Sequence, residues 1–290
     1  MSKNLSSVAS TQFDTEVKHA YQSLSASLSK TTTERKGVTG KVYNFRKIGK
    51  GEATKRTAPS ADVIAMNVEH GLIPCTLSDW DANEYTDIFN SVEVNFDEVK
   101  ELAKTIAGAL GRRDDQLKID AMIAGTYSAT PVQGTSDGLV DTNVGGTASG
   151  LNIDKLRKAK RFMDDNEVPA EGRHIAVSAE GLEQLLGQTQ VTSSDYNTVQ
   201  ALVKGEVNTF LGFEFHVIGK RKEGGLPVTS KLRDGFAWHE SAIGYANGID
   251  MTTSVDWIAH KKSWLSSGNL KAGAVIRDID GIVKIQTTEA

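Results

Sequence analysis

Between Asn95 and Ala124 the apolar residues return at intervals of three, four and seven: Val99, Leu102, Ile106, Leu110, Leu117 and Ala121. That spacing gives one apolar stripe and predicts the longest helix of the chain. Asn95 with Glu98 three residues on forms a capping-box pattern, and Asp97, Glu98 and Glu101 suit the positive end of the helix dipole. Gly108 and Gly111 point to a bend or to close packing, and Gly125 is placed to end the helix. Asn152 to Asn166 is a second, basic amphipathic helix bearing Leu156, Ala159, Phe162 and Met163, stopped by Pro169 and Gly172. Ala179 to Leu186 and Asp195 to Val203 read as shorter helices. Phe13, Val17, Tyr21, Leu24 and Leu28 give a weak helical stripe that needs a docking surface.

Alternation and β-branched or aromatic residues mark the strands. Val38 to Ile48 and Ala61 to Val68 read as the two sides of a long hairpin, with turn chemistry at Gly49, Gly51, Pro59 and Ser60. Such a ribbon is marginal on its own and needs something to pack on. His174 to Val177, Leu211 to Ile218, Phe236 to Tyr245, Val255 to Trp264 and Ala274 to Ile285 are further β segments. The last holds Asp280-Gly281, a hairpin-turn signal. Thr126 to Gly150 is turn-rich. The chain is therefore α+β.

Charge changes this picture. The net charge of the 290 residues is −4, which argues against a simple nucleic-acid binder. Yet residues 1–60 carry 11 Lys/Arg against 4 Asp/Glu, and the remainder 22 against 33. A basic arm on an acidic body suggests a nucleic-acid tail or an arm that lies on a neighbour's body. Lys47, Lys50, Lys55 and Arg56 crowd the hairpin tip. Asp79, Asp81, Glu84 and Asp87, continuing to Glu101, form an acidic run that reads as a solvated or partner-facing surface and as the natural counterpart of that tip. The first thirty residues lack the apolar core of a signal peptide, and no stretch approaches a membrane span. A single cysteine, Cys75, leaves no intrachain disulfide, which fits a reducing compartment.

Catalytic signatures are missing. The histidines His19, His70, His174, His216, His239 and His260 have no helical metal-site spacing, and one cysteine cannot build a cysteine zinc site. There is no nucleophile elbow, phosphate loop or GxGxxG. Gly49-Lys50-Gly51 lacks the flanking strand and helix of a phosphate loop, so it reads as a plain turn. His216 reads as a surface or satisfied core histidine. The acidic run lacks the DxDxDG pattern of a calcium loop. Neither a catalytic residue nor a cofactor or metal site is assigned.

Three words complete the reading: AVSAEGLEQLL (from Ala176), YNTVQALVKGEVNTFLGFEFHVI (from Tyr196) and KSWLSSGNLKAGAVIRDIDGIVKI (from Lys262). They are specific in combination. With the order of elements they resemble the major capsid proteins of tailed bacteriophages, the Hong Kong 97-like shell fold, over nearly the whole chain. The resemblance implies an N-terminal arm (1–36), an extended loop (37–77), a peripheral domain (78–128 and 250–266) and an axial domain (129–249 and 267–290). It implies a structural protein, not an enzyme, that assembles into hexamers and pentamers of an icosahedral shell around double-stranded DNA. The extended loop would lie over an adjacent subunit. A portal protein and a separate scaffolding protein are the implied partners, with room for a cement protein and for non-specific contact with packaged DNA, and no membrane. Assembly would take place in the bacterial host cytoplasm and the product would be the virion capsid. An encapsulin-like nanocompartment shell and an α/β enzyme are the alternatives.

Overall fold

The computed structural model describes residues 26–59, 62–89, 98–128, 138–143, 149–188 and 209–289. In chain order the strands are β1 (Thr33–Arg35), β2 (Val42–Ile48), β3 (His70–Thr76), β4 (Ser78–Asp87), β5 (Leu139–Val140), β6 (Arg173–Ser178), β7 (Thr209–Phe210), β8 (Phe213–Ile218), β9 (Val228–Thr229), β10 (Leu232–His239), β11 (Ile243–Ile258), β12 (Ser263–Ile276) and β13 (Ile282–Thr288). The helices are α1 (Glu98–Ile123), α2 (Ile153–Asp165) and α3 (Ala179–Leu186). Three sheets result. One has the order β1-β11-β12-β4, a second the order β5-β13-β10-β6-β8-β7 with β9 on β10, and the third is the ribbon β2-β3.

The long helix α1 joins the two large sheets. Its first half packs on the four-stranded sheet, where Leu110 meets Tyr245, Leu270 and Ala272. Its second half brings Ile119 and Met122 onto the larger sheet, against Phe236, Trp238 and Ile282. Close approach explains one glycine. A Cβ at Gly268 on β12 would lie 2.5 Å from Ile106 Cγ2 and 2.9 Å from Leu110 Cδ1. The opposite face of the larger sheet is covered by α2 and α3 through Leu156, Phe162, Met163 and Leu185. Covered on both sides, β6 buries all six of its residues.

Side-chain caps close the starts of α2 and α3. The Asn152 side chain accepts the Lys155 N–H, and the Ser178 hydroxyl accepts the Gly181 N–H. The start expected at Asn95, the helix at Asp195 to Val203 and most of the N-terminal stripe lie outside the described residues.

Several strand boundaries differ from expectation, each for a physical reason. The return strand of the ribbon is His70–Thr76, not Ala61 to Val68, with Val42 opposite Thr76 and Ile48 opposite His70. Pro74 lies within it, and in a two-stranded ribbon every strand is an edge, which tolerates proline. Val63, Ile64 and Met66 remain exposed, with no sheet face to pack on. The acidic run is strand β4, paired to β12 from Ser78–Ala272 to Asp87–Ser263. Acidic residues are depleted in strands, and only the pairing to a long neighbour overrides this.

Phe236 to Tyr245 is not one strand. A 3₁₀ turn at Glu240–Ala242, with the His239 side chain accepting the Ser241 N–H, sends β10 and β11 into different sheets. Val255 to Trp264 spans the tip of the β11–β12 hairpin, closed by Lys262 at φ 50°. Asp280-Gly281 makes no hairpin. It lies in a 3₁₀ turn capped by Asp278 that carries the chain from β12 in one sheet to β13 in another. The strand expected from Leu211 starts at Phe213, because Leu211 (φ 53°) and Gly212 (φ 85°) form the two-residue turn between β7 and β8.

Candidate inter-subunit surface

Among the described residues the ribbon β2-β3 pairs with no other strand. Its base is anchored where Phe45 and Cys75 join Leu77 and Ala246 in a small core. Arg277 lies 5.5 Å above the Phe45 ring. Burial pushes the Cys75 thiol above its ordinary range, against a smaller opposite effect from a backbone hydrogen bond with Ala246. Beyond the base Ile48, Val63, Ile64, Met66 and Leu72 are all exposed. A free edge beside exposed apolar side chains is the kind of surface that marks interaction sites.

The four bases named from sequence divide into two groups. Lys47 Nζ lies 3.0 Å from Asp278, and Lys50 Nζ lies 3.7 Å from Asp280. Both acids belong to the turn between β12 and β13, whose cap geometry the sequence does not reveal. Lys55 is exposed, and Arg56 Nε donates to the Ala58 carbonyl at 3.1 Å.

On β4, strand alternation places Asp79, Asp81 and Asp87 on one face with Tyr85. The other face carries Trp80 and Ala82 toward α1, where Arg113 lies 4.1 Å over the Trp80 ring. Glu84 shares the parity of that second face but stays exposed. Asp79 pairs with Lys271 across the strand at 3.2 Å, and the Asp87 carboxylate accepts the Phe89 N–H. Within the chain, therefore, the hairpin bases Lys47 and Lys50 meet Asp278 and Asp280 rather than the β4 acids.

Sequence reasoning missed the clamp on the arm. Asp115, fully buried on α1, accepts the backbone N–H groups of Ser27 and Leu28 and pairs with Arg221 at 2.8 Å. Lys118 donates to the Leu28 carbonyl at 3.0 Å and to Asp114 at 2.7 Å. Trp238 Nε1 donates to the Thr31 carbonyl at 2.8 Å. Leu28 is buried among Ile119, Met122 and Trp238. The signal was the unusual DD-x-x-K group on the spine helix, whose buried face these residues occupy.

Among the described residues no helix is long and apolar enough to cross a membrane. The family model for phage capsid protein matches residues 5–289, and the chain belongs to that family. It is a structural protein of a phage capsid. None of the curated proteins matches it. The fold is similar to that of a chain in the capsid structure of Cyanophage P-SCSP1u, at 15% identity and TM-score 0.74, covering 100% of this chain and 96% of that one. It is similar also to the head structure of Helicobacter pylori bacteriophage KHP40, at 11% identity and TM-score 0.75, with 98% of each chain covered. The capsid of the native GTA particle gives 13% identity and TM-score 0.73, covering 99% of this chain and 98% of that one. Neither the nanocompartment nor the enzyme alternative is favoured by these matches.

Proposed function

We propose that this chain is a major capsid protein that self-assembles into hexamers and pentamers that close around a tailed phage's double-stranded DNA, with no chemistry of its own. The observation that carries the reading is the ribbon β2-β3. It stands as a separate two-stranded sheet with Ile48, Val63, Ile64, Met66 and Leu72 exposed. The ribbon lies over an adjacent subunit, and Lys47, Lys50, Lys55 and Arg56 meet Asp79, Asp81, Glu84 and Asp87 there. The in-chain pairs Lys47–Asp278 and Lys50–Asp280 are largely exposed, and such pairs are worth about 0–1 kcal/mol, so they exchange readily for a neighbour's acids. Repetition at every subunit gives the contact its weight and sets the register of assembly.

The division into an arm (1–36), an extended loop (37–77), a peripheral domain (78–128 and 250–266) and an axial domain (129–249 and 267–290) belongs to the same proposal. So do a portal protein, a separate scaffolding protein, a cement protein, non-specific DNA contact and assembly in the host cytoplasm.

The test is assembly of empty shells, followed by light scattering and electron microscopy. Lys50→Glu with Lys55→Glu impairs assembly without DNA if the ribbon tip reads a neighbour. If empty shells form normally and only genome retention suffers, the phosphates of packaged DNA are the target of these bases instead. A small monodisperse oligomer of the unmodified protein under all conditions would sink the shell reading itself.

A further inference from the structure

The seven-stranded sheet brings together two histidines 42 positions apart. Strands β6 and β8 are parallel neighbours, with His174 opposite Glu214 and Ala176 opposite His216. Strand alternation then puts His174, Glu214 and His216 on one face of the sheet, at the polar margin of the core that contains Trp238. His174 Nδ1 lies 3.1 Å from His216 Nε2 and 3.3 Å from Glu214 Oε2. The three donor atoms all fall within 4.8 Å of one another.

We propose that His174, His216 and Glu214 bind one zinc ion per subunit. Zinc takes imidazole nitrogen and carboxylate oxygen at about 2.0–2.2 Å in a tetrahedron, whose ligand atoms are then roughly 3.3–3.6 Å apart. The two measured separations, 3.1 and 3.3 Å, are close to two edges of that figure. A single atom, His174 Nδ1, faces both other donors. One proton on it serves only one of them well, whereas an ion between the three engages every lone pair. Two imidazoles with one carboxylate select zinc and its transition-metal neighbours over calcium and magnesium, which prefer all-oxygen shells.

The surroundings favour the same occupant. Burial pushes both histidines below their usual range. Glu214 and Glu240 offset part of that burial effect on His174, and Glu214 does so on His216. The rings rest against the fully buried Trp238, at 5.9 and 6.3 Å between centroids, and are held in place by it. Trp238 in turn holds the arm through Thr31. His174 is buried and Glu214 exposed, so the ion enters past Glu214 and water completes its shell.

The experiment uses the purified full-length protein, stripped with chelator and titrated with zinc chloride by calorimetry, with cobalt(II) as a visible-absorption probe. The expected result is one zinc per chain and a tetrahedral cobalt spectrum. Melting should rise by on the order of 5–10 °C at a hundredfold excess over Kd. His216→Asn lowers affinity at least tenfold, and Glu214→Gln, at an exposed position that folding tolerates, lowers it severalfold. The exposed His70→Asn and His260→Asn leave it unchanged. Absence of stoichiometric binding overturns the proposal. So does unchanged affinity in Glu214→Gln, or an equal loss in His260→Asn.

Discussion

The Asp115 carboxylate accepts the backbone N–H of Leu28 at 2.8 Å, across 87 positions of sequence. With Ser27 N–H and Arg221 as further partners, this one buried side chain ties the arm to the spine helix. Asp115→Ala strands two backbone donors and a guanidinium. It should cost about 3–5 kcal/mol in urea unfolding, as for other buried pairs broken from one side.

Ile106 packs where α1 crosses Gly268 of β12 and is almost fully buried. Ile106→Asp places an unpaired carboxylate in that contact at a cost of several kcal/mol and should abolish soluble folding. Val255 on β11, by contrast, is exposed. Val255→Asp should therefore fold normally, and solubility together with circular dichroism separates the two variants.

Gly273 is a close-approach position. A Cβ there would meet the Thr76 carbonyl oxygen at 2.2 Å, at the base of the ribbon. Gly273→Ala should destabilise by about 1–3 kcal/mol, the usual range for overpacking. Cys75 is buried with a raised thiol pKa, so it should resist alkylation in the folded protein, and the same substitution should speed its modification.

Lys155 is fully buried and donates to the Ser149 and Gln286 carbonyls at 2.6 and 2.8 Å. Burial lowers its pKa from 10.5 to about 8, with Asp141 opposing the shift. The unfolded chain then holds more protons than the folded one between pH 8 and 10.5. Unfolding free energy from this group therefore rises with pH across that window, by at most about 1.4 kcal/mol per unit, and is flat below it. Chemical denaturation of wild type against Lys155→Met should show this extra rise only in the wild type.

The elements most legible in sequence were those whose signal is local. The stripe from Val99 to Ala121 and the spacing of Leu156, Ala159, Phe162 and Met163 each describe a helix by its own periodicity. The strands were legible as apolar segments but not in their ends or partners. Pro74 and the acids of β4 suppress strand propensity. Glu240–Ala242 and Ile279–Gly281 change sheets within what reads as continuous β-sequence. The bases at the ribbon tip could be named, since charge clusters are visible in one dimension. Their in-chain partners Asp278 and Asp280 could not, because those acids face the ribbon only after two sheets have packed.

The sequence by itself determined the mix of helices and strands, the long helix α1 and the charge split between the first sixty residues and the remainder. These follow from periodicity and composition, which act over a few neighbouring residues. The tertiary structure alone decided which strands share a sheet, where glycine is compulsory at Gly268, and that Asp115 clamps Leu28. It also decided that His174, Glu214 and His216 converge. Those relationships join residues that are tens to hundreds of positions apart. Side chains so distant meet only when burial of the α1 stripe and the two-sided cover of β6 have fixed the strand order.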